Sequence, residues 1–154
     1  MEKPPYVRYA WQEGRVPPPH YYEYVVEAGP EPRGRIRFRP GYPFQGAPLW
    51  IEPFEAEPAA WQRVVDLLSG QDLLVASVSR PSGPQAVGGC IHTLSVRTPD
   101  TEVTHRCFGT PSGPLSAAID AVTALVPEAL WSDLRARRER FGEEVDGGGG
   151  REAP

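Results

Sequence analysis

Apolar residues recur along this chain with two different spacings, and those spacings divide it into strands and helices. From Tyr21 to Glu27, and again from Gly34 to Arg39, apolar positions alternate with charged ones, the period of a half-buried strand. Ala28-Gly-Pro-Glu-Pro32 separates the two segments, so they read as a hairpin. Pro40 to Pro48 is a loop, and Leu49 to Ala56 is a third strand that Pro53, lacking an N–H, assigns to a sheet edge. Trp61, Val64, Val65 and Leu68 then fall at helical spacing, with Pro58 in the first turn and Gly70 behind.

Leu73 to Arg80 reads as a fourth strand and Pro81 to Gly89 as a loop. A second hairpin follows, Cys90–Arg97 and Glu102–Phe108, turned at Thr98-Pro-Asp-Thr101. Leu115, Ala118, Ile119, Val122 and Val126 form one helical stripe. Pro127 interrupts it and opens a further helical segment carrying Leu130, Trp131, Leu134 and Phe141. The pattern predicts an α+β fold: an antiparallel sheet of about five to six strands packed against a central helix and a long, Pro-interrupted C-terminal helix.

Two flanking segments escape both periods. Residues 1–20 are rich in Pro and Tyr and read as an extended N-terminal arm, with a short strand around Tyr6–Trp11. Residues 147–154 are a Gly-rich tail expected to be disordered. A single domain over residues 21–146 lies between them. Pro-Ser-Gly-Pro occurs at 81–84 and at 111–114, but the flanks differ, so it marks two similar loops and not a repeat.

Composition narrows the function classes. The 154 residues carry a net charge of −4, without the basic excess of a typical nucleic-acid or membrane binder. No leader with an apolar core opens the chain, and no apolar run approaches the length of a membrane span, so a soluble, cytoplasmic protein is expected. Lysine occurs once, at Lys3, beside frequent Arg, Gly and Pro, a bias that suggests GC-rich coding and a bacterial source. Two cysteines are too few for a disulfide scaffold.

Three groups of residues could carry chemistry. Arg33, Arg35, Arg37 and Arg39 share one strand face, where they could bind an anion or nucleic acid. Glu23 and Glu27 on the partner strand offer a plainer reading, a solvated face of cross-strand ion pairs. In the second hairpin, a turn at 98–101 pairs Arg97 with Glu102. That register puts His92 opposite Cys107 and brings Cys90, His92, His105 and Cys107 to one face. Two thiols and two imidazoles are a known zinc set, although no Cys-x-x-Cys knuckle is present. The same face carries Leu94, Val96 and Val103, so packing in the core is the stronger reading there. A Cys–His nucleophilic pair is weaker still, because the sequence reveals no third residue to orient the histidine. Third, Gly109 to Pro114 leads into a helix but lacks the Lys-Ser/Thr ending of a phosphate loop. Arginines 135, 137, 138 and 140 are diluted by Glu139, Glu143 and Glu144 and read as a solvated helix end.

Arg35-Ile-Arg-Phe-Arg-Pro-Gly-Tyr-Pro-Phe44, followed by Ala47-Pro48, resembles a strand–loop stretch of ubiquitin-conjugating enzymes. The His-Pro-Asn element that precedes their catalytic cysteine is absent, so the resemblance does not extend to family membership. A Gly-rich tail after a strand–helix–strand order resembles ubiquitin-like modifiers at fold level only. With no catalytic constellation in view, the expected function is a non-catalytic protein-binding module (an adaptor, inhibitor or immunity-type partner) with another protein as its ligand and no nucleic acid or membrane. Exposed Tyr and Pro residues between Tyr6 and Tyr24 favour this. A small metal-binding protein and an anion binder are the alternatives.

Overall fold

The computed structural model describes residues 6–14, 21–70, 77–79, 90–98 and 101–149. In chain order the elements are β1 (Tyr6–Gln12), β2 (Glu23–Ala28), β3 (Arg33–Arg39), β4 (Trp50–Glu55), α1 (Pro58–Leu68), β5 (Ser77–Ser79), β6 (Ile91–Arg97), β7 (Glu102–Phe108), α2 (Gly113–Thr123) and α3 (Glu128–Gly149). They build an α+β fold around one sheet in the order β4-β3-β2-β1-β6-β7-β5. The six long strands are antiparallel to their neighbours, and short β5 adds to β7 in parallel.

Both hairpins form where the alternating segments lie. Pro53 sits on β4, which is an edge of the sheet, as its missing N–H demands. β5 occupies only part of the expected strand at 73–80; residues 71–76 and the loop at 81–89 lie outside the described residues. Gly147–Gly149, expected in a disordered tail, continue α3, and residues 150–154 lie outside the described residues.

The segment read as an arm has a larger structural part than its composition suggests. β1 lies in the middle of the sheet, paired with β2 on one side and with β6 on the other. Val7 and Tyr9 are fully buried, and Trp11 packs against the core. The alternation Val7, Tyr9, Trp11 supplies the apolar face, and Tyr6, Arg8, Ala10 and Gln12 supply the other.

All three helices pack against that apolar face. Val64 and Leu68 of α1 meet Ala118 and Val122 of α2 over Val7, Leu94 and Val96. Pro127 separates α2 from α3 as its fixed φ requires, and the Trp131 indole donates to the Thr123 carbonyl at 3.1 Å, pinning the start of α3 to the end of α2. Leu134 of α3 is fully buried, and Arg137 reaches Glu52 on β4 at 2.9 Å.

At one point the sheet admits no side chain. Gly34 lies between Ala28 and Phe54 in neighbouring strands. A Cβ there would overlap the Glu27 carbonyl oxygen and come within 2.9 Å of both Ala28 Cβ and the Phe54 ring. Gly34→Ala should therefore cost more than about 2 kcal/mol through overpacking against backbone. Urea denaturation measures this, and a loss under about 0.5 kcal/mol would show that the strands part freely there.

Candidate functional site

The second hairpin has the register its turn dictates: Arg97 faces Glu102, Leu94 faces His105 and His92 faces Cys107. Cys90, His92, His105 and Cys107 consequently share the face that carries the helices. His92 is 8% exposed, His105 2% and Cys107 1%, while Cys90 is half-buried. Leu94, Val96 and Val103 are buried on the same face.

Only part of the group converges. Cys90 Sγ lies 3.3 Å from His92 Nε2 and 3.7 Å from the Gly109 carbonyl, to which the thiol donates. On the other side of the ring, Tyr9 Oη lies 2.6 Å from His92 Nδ1, with the two rings stacked at 5.9 Å. Among the described residues no group of three or more His, Cys, Asp or Glu side chains could hold a metal ion. Cys90 and His92 would offer two ligands where a tetrahedral zinc site takes four.

Tyr9 is the residue that sequence reasoning missed. It orients His92 from a strand more than eighty positions away, and the alternation of Val7, Tyr9 and Trp11 is the one signal in the sequence that could have found it. Burial holds the His92 imidazole below its ordinary value of 6.5, opposed by a hydrogen bond to the Gly109 carbonyl. Burial also drives the Tyr9 phenol well up, with Tyr24 adding to the effect. A neutral phenol, a neutral imidazole and a thiol in line are a satisfied polar chain inside an aromatic layer. That layer runs across six strands in register: Trp50, Phe38, Tyr24, Trp11, His92, Cys107.

The opposite face of the sheet has a different character. None of its described side chains on the long strands is fully buried, although Ala10, Val25 and Thr93 occupy its middle. The four arginines of β3 lie here, and each meets a carboxylate: Arg33 with Glu55 at 3.4 Å, Arg35 with Glu27, Arg37 with Glu27 at 3.5 Å and Arg39 with Glu23 at 3.3 Å. The stripe expected as an anion site is thus laced into cross-strand pairs, and Glu27, held below its ordinary value partly by Tyr6 and these arginines, serves two of them. Strand alternation also brings Arg8, Arg97 and Arg106 to this face, so seven arginines stand against Glu23, Glu27, Glu55 and Glu102. An acidic protein therefore has a basic face.

At the β2–β4 end of that face lies an exposed apolar group. Tyr21, Tyr42 and Phe44 stack in sequence, with ring centres 3.9 and 4.9 Å apart. Tyr21 and Tyr42 are half-buried, Phe44 is 79% exposed, and at β4 Ile51 is 50% and Leu49 43% exposed. The loop 40–48 that carries two of these rings holds a 3-10 turn, Pro43–Gln45. Composition alone had not distinguished this loop from any other.

Comparison with protein-family models and with curated proteins finds no match. Among the described residues no helix is long and apolar enough to cross a membrane.

Two measurements follow from the hairpin. Because the folded-state pKa of His92 is depressed, the unfolded chain takes up the proton first as pH falls. The stabilisation from neutral His92 is full above about pH 6.5 and declines as pH drops below that value. Denaturation midpoints between pH 7.5 and 5.5 should fall for the native chain and change less for His92→Gln; parallel curves would show that His92 is not the titrating group. Elemental analysis of protein purified without chelator should find less than about a tenth of an equivalent of zinc, since a structural site would retain its ion.

Proposed function

We propose that this chain is a non-catalytic protein-binding module, of the adaptor, inhibitor or immunity kind, from a bacterial cytoplasm. The observation that carries this reading is the exposure of Phe44, Leu49 and Ile51, with the half-buried Tyr42 and Tyr21 stacked in line behind Phe44, at the rim of a sheet face on which none of the three helices packs. Covering large apolar side chains that stand at a surface is favourable, by roughly 25 cal/mol per Å². Stacked Tyr and Phe rings contribute contact area with few rotatable bonds to freeze, which is why such rings anchor protein interfaces.

The fitting partner is a protein with an apolar contact centre and carboxylates around it. Arg39 borders the group at the same end of β3, and its glutamate partner leaves it partly exposed to a second acceptor. The Cys90–His92–Tyr9 chain contributes no chemistry in this reading, since it lies in the aromatic layer on the other side of the sheet.

Affinity capture from a lysate of the source organism tests the proposal. The native chain should retain a stoichiometric protein, and Phe44→Asp and Ile51→Asp should each weaken its retention about tenfold or more, the equivalent of 1.4 kcal/mol. Arg63→Glu, on the exposed side of α1, should retain it fully. Absence of a stoichiometric partner, or equal capture by all variants, would count decisively against the module reading.

A further inference from the structure

The basic face contains a concavity of about 590 Å³ lined by Arg8, Arg37, Arg39 and Arg106 around a floor of Ala10, Val25 and Thr93. The register explains why it exists. Arg37, Val25, Ala10, Thr93 and Arg106 form one row across five strands, with a long cation at each end and small side chains between. Strands about 4.8 Å apart put the end positions roughly 19 Å from each other at the backbone. Arg37 reaches Glu27 and Arg106 stacks on Phe108; turned inward over the small neighbours, the two side chains would close most of that span. Arg8 stands next to this row on central β1.

Charge within the concavity is not balanced. Arg39 is matched by Glu23 and also donates to the Ala47 carbonyl at 3.2 Å. Glu27 is shared between Arg35 and Arg37. Among the described residues Arg8 has no hydrogen-bond or ion-pair partner, and the contact shown for Arg106 is the Phe108 ring at 5.4 Å. The Nε of Arg37 is buried with no acceptor. A buried guanidinium N–H without an acceptor carries a desolvation cost, whereas an oxyanion in the concavity would meet the terminal nitrogens of Arg37, whose one carboxylate is shared with Arg35.

We propose that this concavity binds a small ligand carrying more than one phosphate group, held by Arg8, Arg37 and Arg106. A single carboxylate fills one guanidinium fork, whereas linked phosphates present several acceptor oxygens and enough negative charge to balance three separated forks. The sequence-derived stripe of Arg33, Arg35, Arg37 and Arg39 contributes Arg37 as a direct ligand and Arg39 as a rim residue, while Arg8 and Arg106 come from strands that showed no such clustering. The concavity borders the apolar group through Leu49 and Arg39, but Arg8 and Arg106 lie on other strands, so their variants test it independently of Phe44 and Ile51.

Calorimetric titration of the full chain with sodium pyrophosphate in about 50 mM salt tests it. One-to-one saturable binding is expected, weakened tenfold or more by Arg8→Gln and by Arg106→Gln. Arg63→Gln should leave it unchanged, and sodium glutamate should give no saturable heat. Arg106 is exposed, so Arg106→Gln keeps the test informative should Arg8→Gln disturb the central strand. Absence of saturable binding would overturn the proposal, as would several equivalents bound per chain or an equal loss in Arg63→Gln, which are signs of diffuse charge attraction. A parallel titration with a single-stranded oligonucleotide separates the two sources of phosphate. If the oligonucleotide binds with a steep salt dependence and pyrophosphate cannot displace it, the small-ligand assignment fails.

Discussion

The pairing of β1 on both its edges is the interaction on which the rest of this structure depends. Without it the molecule would hold two separate antiparallel units, β2–β3–β4 and β6–β7, each with an exposed edge. With it, Tyr9 faces Val26 on one side and Leu94 on the other, and one continuous apolar face becomes available to three helices. Few-stranded units seldom persist alone in water, so joining them creates the core as much as it enlarges it. The same pairing delivers the Tyr9 hydroxyl to His92 and brings Arg8 to the middle of the opposite face.

Seen from β1, the Cys/His group of the second hairpin takes its place in a larger layer. His92 and Cys107 are the far end of a row that begins with Trp50 and Phe38 and passes through Tyr24 and Trp11. Arg137 and Arg138 of α3 lie over rings at the other end, Arg138 at 3.9 Å from the centre of Tyr22. The Tyr9 hydroxyl, the His92 ring and the Cys90 thiol find partners within this layer or at its margin, so reactive side chains serve as packing. A histidine held neutral by burial and hydrogen-bonded at both nitrogens is restrained in tautomer and ring orientation.

Much of the architecture was legible because local chemistry and tertiary fold agree. The turn at 98–101 set the hairpin register residue by residue, and Pro53 and Pro127 marked an edge and a helix break for reasons intrinsic to proline. The central position of β1 was not legible. Tyr6–Gln12 is short and surrounded by Pro-rich sequence, and its partners lie some sixteen and eighty-five residues further on, where no local pattern can register them. The same gap concealed the candidate sites. Arg8 and Arg106 are isolated in sequence and become neighbours of one concavity only through strand order, whereas the conspicuous stripe on β3 is largely neutralised by glutamates from β2 and β4.

The segregation of charge also bears on how fast anything meets this molecule. A net charge of −4 repels anions at a distance, but the excess of arginine on one sheet face gives the molecule a strong electrical asymmetry. An approaching anion is turned away from most of the surface and drawn toward that face as it comes within a screening length, about 8 Å at physiological salt. Productive encounters are then oriented before contact, and their rate is set by ionic strength as well as by diffusion.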